Sequence, residues 1–208
     1  MLLSLEKRFL FVHVPKTGGT SIAQALSPWV VHPPRTPVNK LLSQFRIQRD
    51  PSKVLLRTHG SLAYAYSQLN PEFADSLFKF AFVRNPWDRL VSEYSFILAR
   101  PSLRRHSKVK ALPNFLAYLH YARQRPDSSC QARMLASRPG SPDIDLVGRF
   151  ENLSADFEAI CARIGIDAPL PHLNKTKHHN YREFYDRESQ AFVSEAWADE
   201  IQKFGYEF

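Results

Sequence analysis

The stretch FLFVHVPKTGGTS, residues 9–21, constrains the fold of this chain more than any other part of the sequence. Its first six residues are a largely apolar run that ends at Pro15, and they predict a buried β-strand. A lysine, two glycines and three hydroxyl residues follow, and residues 20–26 then have the apolar spacing of a helix. A strand, a glycine-rich turn and a helix start in this order form a phosphate cradle, because backbone N–H groups and the helix N-terminus point at the anion.

The order of residues in this loop indicates which kind of cradle it is. An ATP- or GTP-binding Walker loop carries its lysine after the glycines, whereas Lys16 precedes Gly18 and Gly19 here. The loop therefore predicts anion binding but disfavours an ordinary nucleoside triphosphate loop. We expect the Lys16 ammonium group to contact the anion. The further loop contacts that we expect come from backbone N–H groups and hydroxyls of Thr17, Gly18, Gly19, Thr20 and Ser21.

Three further segments predict short buried strands, at residues 53–57, 77–83 and 144–150. Near-continuous apolar strands separated by helical segments are typical of a parallel sheet with helices on both faces. A length of 208 residues suits one compact domain, so we expect residues 1–208 to form a single domain. Besides residues 20–26, helical patterns lie at residues 87–98, 113–123, 154–164 and 188–204.

A second anion-binding pattern follows the predicted strand at 77–83. Arg84 emerges at the end of that strand, and Pro86 suits the first position of a helix because its missing N–H is unpaired there anyway. An arginine at a strand tip can bind a phosphate through a forked pair of N–H donors, and Ser92 about two turns on adds a hydroxyl. We interpret Arg84 as a phosphate-binding residue rather than as the ion-pair partner of Asp88.

Together the two patterns resemble the binding signatures of the sulfotransferase family. PKTGGTS at residues 15–21 is similar to the first signature, and FVRNPWDRLVSEY at 82–94 is similar to the second. The resemblance continues through VGRFENL at 147–153 and residues 170–186 to the final IQKFGYEF, and covers nearly the whole chain. The motifs and their order are more similar to the carbohydrate-type enzymes, including the heparan and chondroitin branch, than to the aryl and steroid type.

The resemblance implies a three-layer, P-loop-like α/β fold and a donor, 3′-phosphoadenosine 5′-phosphosulfate (PAPS). It implies that the first signature holds the 5′-phosphosulfate and that Arg84 and Ser92 hold the 3′-phosphate. Lys175 and Lys177 lie in a basic segment whose counterpart in similar enzymes closes over the nucleotide, so both are candidate nucleotide contacts. No metal is implied, and the sequence has no His, Asp or Glu cluster with ligand spacing.

Sulfuryl transfer to a hydroxyl group poses the same problems as phosphoryl transfer, in which positioning and charge stabilisation dominate. Lys16 is our candidate for stabilising the charge on the leaving phosphate. The base is predicted to be His59, which follows the predicted strand at 53–57 and would lie with Lys16 and Arg84 at one edge of the sheet. His13 lies within the first strand, and we interpret it as a core residue rather than the base.

The chain carries a net charge of +8 and has a pI near 9.6, which favours an anionic partner. Residues 100–110 form its densest basic stretch, and we expect residues 28–50 and 100–129 to shape the site of the acceptor. The acceptor is expected to be a hydroxyl compound, a carbohydrate or glycoconjugate that carries negative charge in some cases. The sequence has no aromatic and basic signature of an RNA-binding protein, so no nucleic-acid partner is expected.

The two cysteines, Cys130 and Cys161, are too few for a disulfide framework or a cysteine-based zinc site, and we expect reduced, partly buried thiols. The N-terminal sequence does not have the pattern of a signal peptide, because charged residues interrupt its apolar start. No stretch reaches the roughly 18 apolar residues of a membrane span. These features predict a cytoplasmic protein without a transmembrane segment, and peripheral membrane contact stays open.

Two other functions stay open from the sequence. An atypical kinase would use ATP and would need a magnesium-binding acid after a strand, whereas Asp143 and Asp145 precede theirs. A non-catalytic protein could instead bind anionic glycans with the same fold. The combination of a loop lysine, a histidine and the arginine and serine of the second signature favours an enzyme.

Overall fold

The computed structural model describes most of the chain, and every statement below concerns the described residues. They are residues 1–48, 50–125, 130–136, 144–171 and 180–208.

A four-stranded sheet forms the centre of the fold, with its strands in the order β1-β2-β3-β4. Strand β1 pairs antiparallel with β2, whereas β2 and β3, and β3 and β4, pair in parallel. Phe9 is paired with Phe78 and Phe80 with Leu146, which sets the register of the parallel strands. The strands are β1 (Leu2–Ser4), β2 (Phe9–Val12), β3 (Phe78–Val83) and β4 (Leu146–Arg149).

Three of the predicted strands are confirmed, and the one predicted at residues 53–57 is wrong. Residues Pro51–Lys53 form a short 3₁₀ helix, whose first turn is capped by the Asp50 carboxylate accepting from the Ser52 N–H at 2.9 Å. The residues that follow pair with no strand of the sheet, although Val54 is buried. A short apolar run indicates that a segment is buried but not which backbone conformation it adopts. The run at residues 53–57 was therefore wrongly predicted to be a strand. The short edge strand β1 was not predicted.

The sheet buries one face under two helices, α1 (Gly19–Leu26) and α9 (Leu153–Ile164). Alternate residues of β2 and β3 point to this face, and they are all phenylalanines. The helices contribute apolar side chains at three- and four-residue spacing, as the sequence predicted for residues 154–164. The buried members of this core are Phe9, Phe11, Phe80, Phe82, Ile22, Leu26, Val30, Phe157, Ile160 and Cys161.

The predicted helices are present with bounds that differ by a few residues. The pattern at 188–204 forms two helices, because Trp197 leaves the helical conformation with φ −118° and ψ 25°. None of the described helices is long and apolar enough to cross a membrane. The other helices are α2 (Pro37–Gln44), α3 (Leu62–Gln68), α4 (Pro71–Asp75), α5 (Pro86–Leu98), α6 (His106–Lys110), α7 (Phe115–Arg123), α8 (Gln131–Leu135), α10 (Arg187–Ala196) and α11 (Ala198–Phe204).

The chain divides into two compact units. The first comprises Met1–Val83 and Arg133–Leu173 and contains the sheet, and the second comprises Arg84–Ala132 and Asn174–Phe208. The expectation of a single domain over residues 1–208 stays a prediction. Both cysteines are free and buried, as expected, and burial raises the pKa of the Cys161 thiol to about 11.

Candidate active site

The loop between β2 and α1 makes a tight turn directly before the helix. Lys16 and Gly18 both have left-handed backbone conformations, with φ of 69° and 78°. The Thr17 hydroxyl, which is fully buried, donates to the Val14 carbonyl at 2.9 Å and closes the turn. The first hydrogen bond of the helix runs from the Ser21 N–H to the Gly18 carbonyl at 3.0 Å. The helix therefore begins at Gly19, directly after the second left-handed residue and one residue before the predicted start at residue 20.

Close packing explains why this loop needs its two glycines. A Cβ atom on Gly19 would lie 1.9 Å from Nε2 of His13, and one on Gly18 would lie 2.7 Å from a methyl carbon of Leu153. The His13 ring therefore occupies the space that a side chain at position 19 would need. Of the other loop residues, Ser21 is buried and Thr20 is exposed, while Lys16 is half-buried.

His59 is held next to this loop by His13. The Nδ1 atom of His59 lies 3.0 Å from the His13 carbonyl oxygen, and the two rings meet edge to face with centroids 4.5 Å apart. A carbonyl oxygen only accepts, so Nδ1 donates and Nε2 is the basic nitrogen of the neutral ring. His59 is exposed, and it lies in a turn at residues 58–59 rather than just past the strand that the sequence predicted.

His13 itself is a buried residue, in agreement with its interpretation as part of the core. Burial, followed by the proximity of His59 and of the terminal amino group, lowers the pKa of His13 to about 3. The ring is therefore neutral at ordinary pH. Its contacts to the loop and to His59 were not predicted, because no sequence pattern links two residues 46 positions apart.

Arg84, the first residue after β3, belongs to the second unit, where its backbone is fixed by a buried glutamine. The Arg84 N–H donates to Gln131 Oε1 at 2.9 Å, and Gln131 Nε2 donates to the Arg84 carbonyl at 2.8 Å. The Arg84 side chain pairs with Asp88 through an Nε–Oδ2 contact of 2.8 Å. The ion pair that the sequence analysis set aside is therefore present, and binding of a phosphate by Arg84 stays a prediction.

Helix α5 carries the rest of the second signature. Its N-terminus is capped by Asn85, whose side-chain oxygen accepts from the Trp87 N–H at 3.0 Å, and Pro86 occupies the first helical position as predicted. Ser92 lies two turns further and is buried. The cap and the proline together start the helix directly after Arg84.

A buried ion-pair cluster surrounds Glu93, the residue after Ser92. Its carboxylate accepts from Nη1 of Arg105 at 2.8 Å and from Nη1 of Arg125 at 2.6 Å. Burial by itself opposes the charged carboxylate, but the guanidinium groups of Arg125, Arg89 and Arg105 outweigh it, so the pKa of Glu93 is lowered. This cluster joins α5 to residues 105 and 125, and no sequence pattern indicated it.

The structure thus brings together the loop residues 16–21 and His59 in the first unit. Arg84 and Ser92 lie in the second unit. Lys175 and Lys177 lie outside the described residues. Within the described ranges, no group of three or more His, Cys, Asp or Glu residues could hold a metal ion.

Comparison with known proteins shows which proteins this chain is similar to. A search of curated proteins finds no match. Among solved structures, the crystal structure of mouse sulfotransferase SULT7A1 complexed with PAP is similar, with a TM-score of 0.61 and 14% sequence identity. The match covers 96% of this chain and 86% of the mouse chain. This likeness confirms the predicted fold class, a P-loop-like α/β fold with a central, mostly parallel sheet.

A family model described as the sulfotransferase family matches residues 1–207. It includes both predicted signatures, the loop at 15–21 and the segment at 82–94. The protein therefore belongs to the sulfotransferase family.

Proposed function

We propose that this sulfotransferase moves the sulfuryl group of PAPS to a hydroxyl group of a carbohydrate or glycoconjugate, with His59 as the base. The proposal rests on two neighbouring features, the glycine loop that precedes α1 and the His59 ring. The His13 carbonyl holds Nδ1 of this ring, so Nε2 is its basic nitrogen. The reaction breaks the bond between sulfur and the bridging oxygen of the donor. It forms a bond between sulfur and the acceptor oxygen, and the acceptor's proton passes to the base.

The anion loop suits the phosphosulfate end of the donor. Its two left-handed residues precede the N-terminus of α1, where the first backbone N–H groups have no partner within the helix. Lys16 supplies a positive charge on the same loop. We assign Lys16 to the charge that develops on the leaving phosphate, since a cation placed at that oxygen stabilises the transition state more than the ground state.

His59 suits the acceptor side of the reaction. Its Nδ1 proton is engaged by the His13 carbonyl, so the Nε2 lone pair is the one that can accept a proton from an incoming hydroxyl. Because His59 is exposed, an acceptor from solvent can reach it. The neutral His13 behind it fixes the ring without adding a second charge.

Arg84 and Ser92 are assigned to the 3′-phosphate, on the resemblance of residues 82–94 to the second signature. The two hydrogen bonds between Gln131 and the Arg84 backbone, one in each direction, fix the position from which the Arg84 side chain starts. The ion pair with Asp88 orients the guanidinium through Nε. Such preorganisation lowers the entropy lost when a phosphate binds.

The assignment of the acceptor to the carbohydrate class rests on the resemblance and on charge. The chain carries a net charge of +8, and residues 100–110 contain five of its Lys and Arg residues. One of these, Arg105, is engaged by Glu93. Arg100 and Lys108 lie over the rings of Phe96 and Tyr121. The positive charge of this stretch suits a sugar that carries sulfate or carboxylate groups.

Calorimetric titration of the full chain tests the donor assignment. We expect 3′-phosphoadenosine 5′-phosphate (PAP) to bind without magnesium, and more tightly than adenosine 5′-phosphate, which lacks the 3′-phosphate. Arg84→Ala should lower the affinity for PAP by roughly 10- to 100-fold, because that is the contribution of one charged hydrogen-bonded contact. The affinity for adenosine 5′-phosphate should be nearly unchanged. Arg163→Ala, at an exposed arginine of α9, is the matched control. Preferential binding of magnesium-bound ATP would contradict the assignment.

The acceptor class is tested by transfer of labelled sulfate from PAPS to a panel of acceptors. The panel contains neutral sugars, sulfated and carboxylated sugars, lipid-linked sugars, and phenols and steroids as the competing class. We expect label on sugars. Label confined to phenols or steroids would contradict the carbohydrate proposal and leave the donor assignment intact.

A further inference from the structure

Helix α2, Pro37–Gln44, turns its apolar face to solvent. Val38, Leu41 and Phe45 lie at the three- and four-residue spacing of one helical face, and they are 67%, 55% and 62% exposed. Ile47, three residues past the helix, is 57% exposed. Leu5, at 37%, is the only other exposed large apolar side chain in the described part of the chain. The exposed large apolar residues of the described ranges are therefore concentrated on one short segment.

The buried side of this helix is polar. Asn39 and Ser43, four residues apart, are both buried. Asn39 donates to the carbonyls of Pro34 at 2.8 Å and Lys53 at 2.7 Å, and accepts from Gln48 at 2.7 Å. The Ser43 hydroxyl accepts from a backbone N–H at 3.3 Å. Hydrogen bonds thus hold the helix to the protein, which leaves its apolar residues free for another surface.

The charged side chains of this segment are of one sign, and the next carboxylate, Asp50, is paired with Lys53. Residues 27–48 contain Arg35, Lys40 and Arg46 and no Asp or Glu, and the three basic side chains are exposed. A short helix with an open apolar face and basic flanks is the pattern of a segment that lies in a membrane interface. A second copy that docked through the same face would bring like charges together, whereas the basic side chains of residues 27–48 complement anionic headgroups.

We propose that α2 and the residues up to Ile47 dock this protein onto a membrane surface that carries anionic lipids. The side chains of Val38, Leu41, Phe45 and Ile47 enter the boundary between headgroups and acyl chains. Arg35, Lys40 and Arg46 contact the headgroups. This docking does not depend on the donor, the base or the acceptor class assigned above.

Vesicle flotation of the full chain tests the proposal. The probes are vesicles of phosphatidylcholine alone and vesicles in which part of it is replaced by phosphatidylglycerol. We expect stronger binding to the anionic vesicles. Leu41→Asp combined with Phe45→Asp should lower it by at least about tenfold, because each side chain loses its burial in the apolar layer. Arg35→Gln and Lys40→Gln should each lower it by about fivefold, and added salt should act in the same direction.

Leu5→Asp is the matched control, since it removes an exposed leucine outside the segment, and it should leave binding unchanged. The thermal unfolding midpoint reports whether each variant is folded, and the charge variants test the proposal if the aspartates prevent folding. Equal binding to both kinds of vesicle, binding to neither, or loss of binding in Leu5→Asp would overturn it. A dimer in light scattering that Leu41→Asp with Phe45→Asp dissociates would assign the face to a second copy and also overturn it.

Discussion

The Nδ1 atom of His59 lies 3.0 Å from the carbonyl oxygen of His13, just past the end of β2. The acceptor in this contact is a backbone atom, so substitution of the His13 side chain does not remove it. The contact joins the proposed base to the chain segment that leads into the anion loop. The orientation of His59 is therefore set by the same backbone that positions Lys16.

Replacement of His59 by alanine should abolish transfer but not nucleotide binding. Loss of a general base costs about 10²- to 10⁴-fold in turnover, while the side chain is assigned no contact with the donor. Initial rates of labelled sulfate transfer and calorimetry with PAP give the two quantities. Arg163→Ala, at an exposed arginine of α9 with no assigned role, is the control and should be fully active. If His59→Ala turns over at the rate of the unmodified protein, the assignment of the base is wrong.

Lys16→Ala should reduce turnover more than it reduces donor binding. A cation that acts on the leaving oxygen is worth about 10²- to 10³-fold in the transition state, whereas the backbone N–H groups of the loop still hold the ground state. Single-turnover kinetics at saturating PAPS separates the two effects. Lys53→Ala removes an exposed lysine of the same unit and serves as the comparison. An equal loss in binding and in turnover would instead make Lys16 a simple binding residue.

Gly19→Ala should disrupt the loop, because its methyl group would meet the His13 ring at 1.9 Å. Relief of that overlap displaces His13 or the start of α1, at a cost of about 1–3 kcal/mol in the free energy of unfolding. Gly165→Ala is the matched control: a methyl group there has open space, and only its left-handed backbone, φ 66°, adds strain. Thermal and urea unfolding measure stability, and the affinity for PAP shows whether the loop keeps its conformation. Unchanged PAP binding by a folded Gly19→Ala protein would contradict this role of the glycine.

Glu93→Gln should destabilise the protein at neutral pH by about 1–3 kcal/mol, since it leaves the half-buried guanidinium groups of Arg105 and Arg125 without their carboxylate. The pKa of Glu93 is lowered in the folded state, so the unfolded state binds more protons as the pH falls below the ordinary value of 4.5. The stability from this carboxylate is thus fully present above that value, and it is lost as the pH falls through the folded-state pKa.

The difference in unfolding free energy between Glu93→Gln and the unmodified protein should therefore shrink in acid. Urea denaturation over a series of pH values gives this difference. Glu158→Gln, at an exposed position of α9, should differ little from the unmodified protein at any pH. A difference for Glu93→Gln that stays constant from neutral pH into strong acid would show that the carboxylate charge does not stabilise the fold.

Much of the fold was predictable, because local patterns determine it. The apolar strands 9–12 and 78–83, the cap and proline that start α5, and the stripe on α9 are each encoded within a few residues. The prediction of a strand at 53–57 was wrong because apolar residues are also buried in irregular segments, as Val54 is here. The break at Trp197 was also missed, since its periodic neighbours continue the helical pattern.

The site was predictable where it is local and not where it is assembled from distant residues. The cradle at residues 16–21 has a sequence signature of its own. The support of His59 by His13 and of Arg84 by Gln131 depends on tertiary contacts over 46 and 47 positions, which no spacing rule anticipates. The Arg84–Asp88 ion pair is local, and it was set aside only because arginine was assigned wholly to phosphate.

The left-handed backbone of Lys16, φ 69°, has a consequence for anyone who redesigns this protein. In that conformation a residue other than glycine lowers the free energy of unfolding by roughly 1–2 kcal/mol. A procedure that selects sequences for thermal stability would therefore place glycine at position 16 and delete the cation. Stability-guided engineering of this chain has to hold position 16 fixed, because the most favourable residue for the turn there is one without a charge.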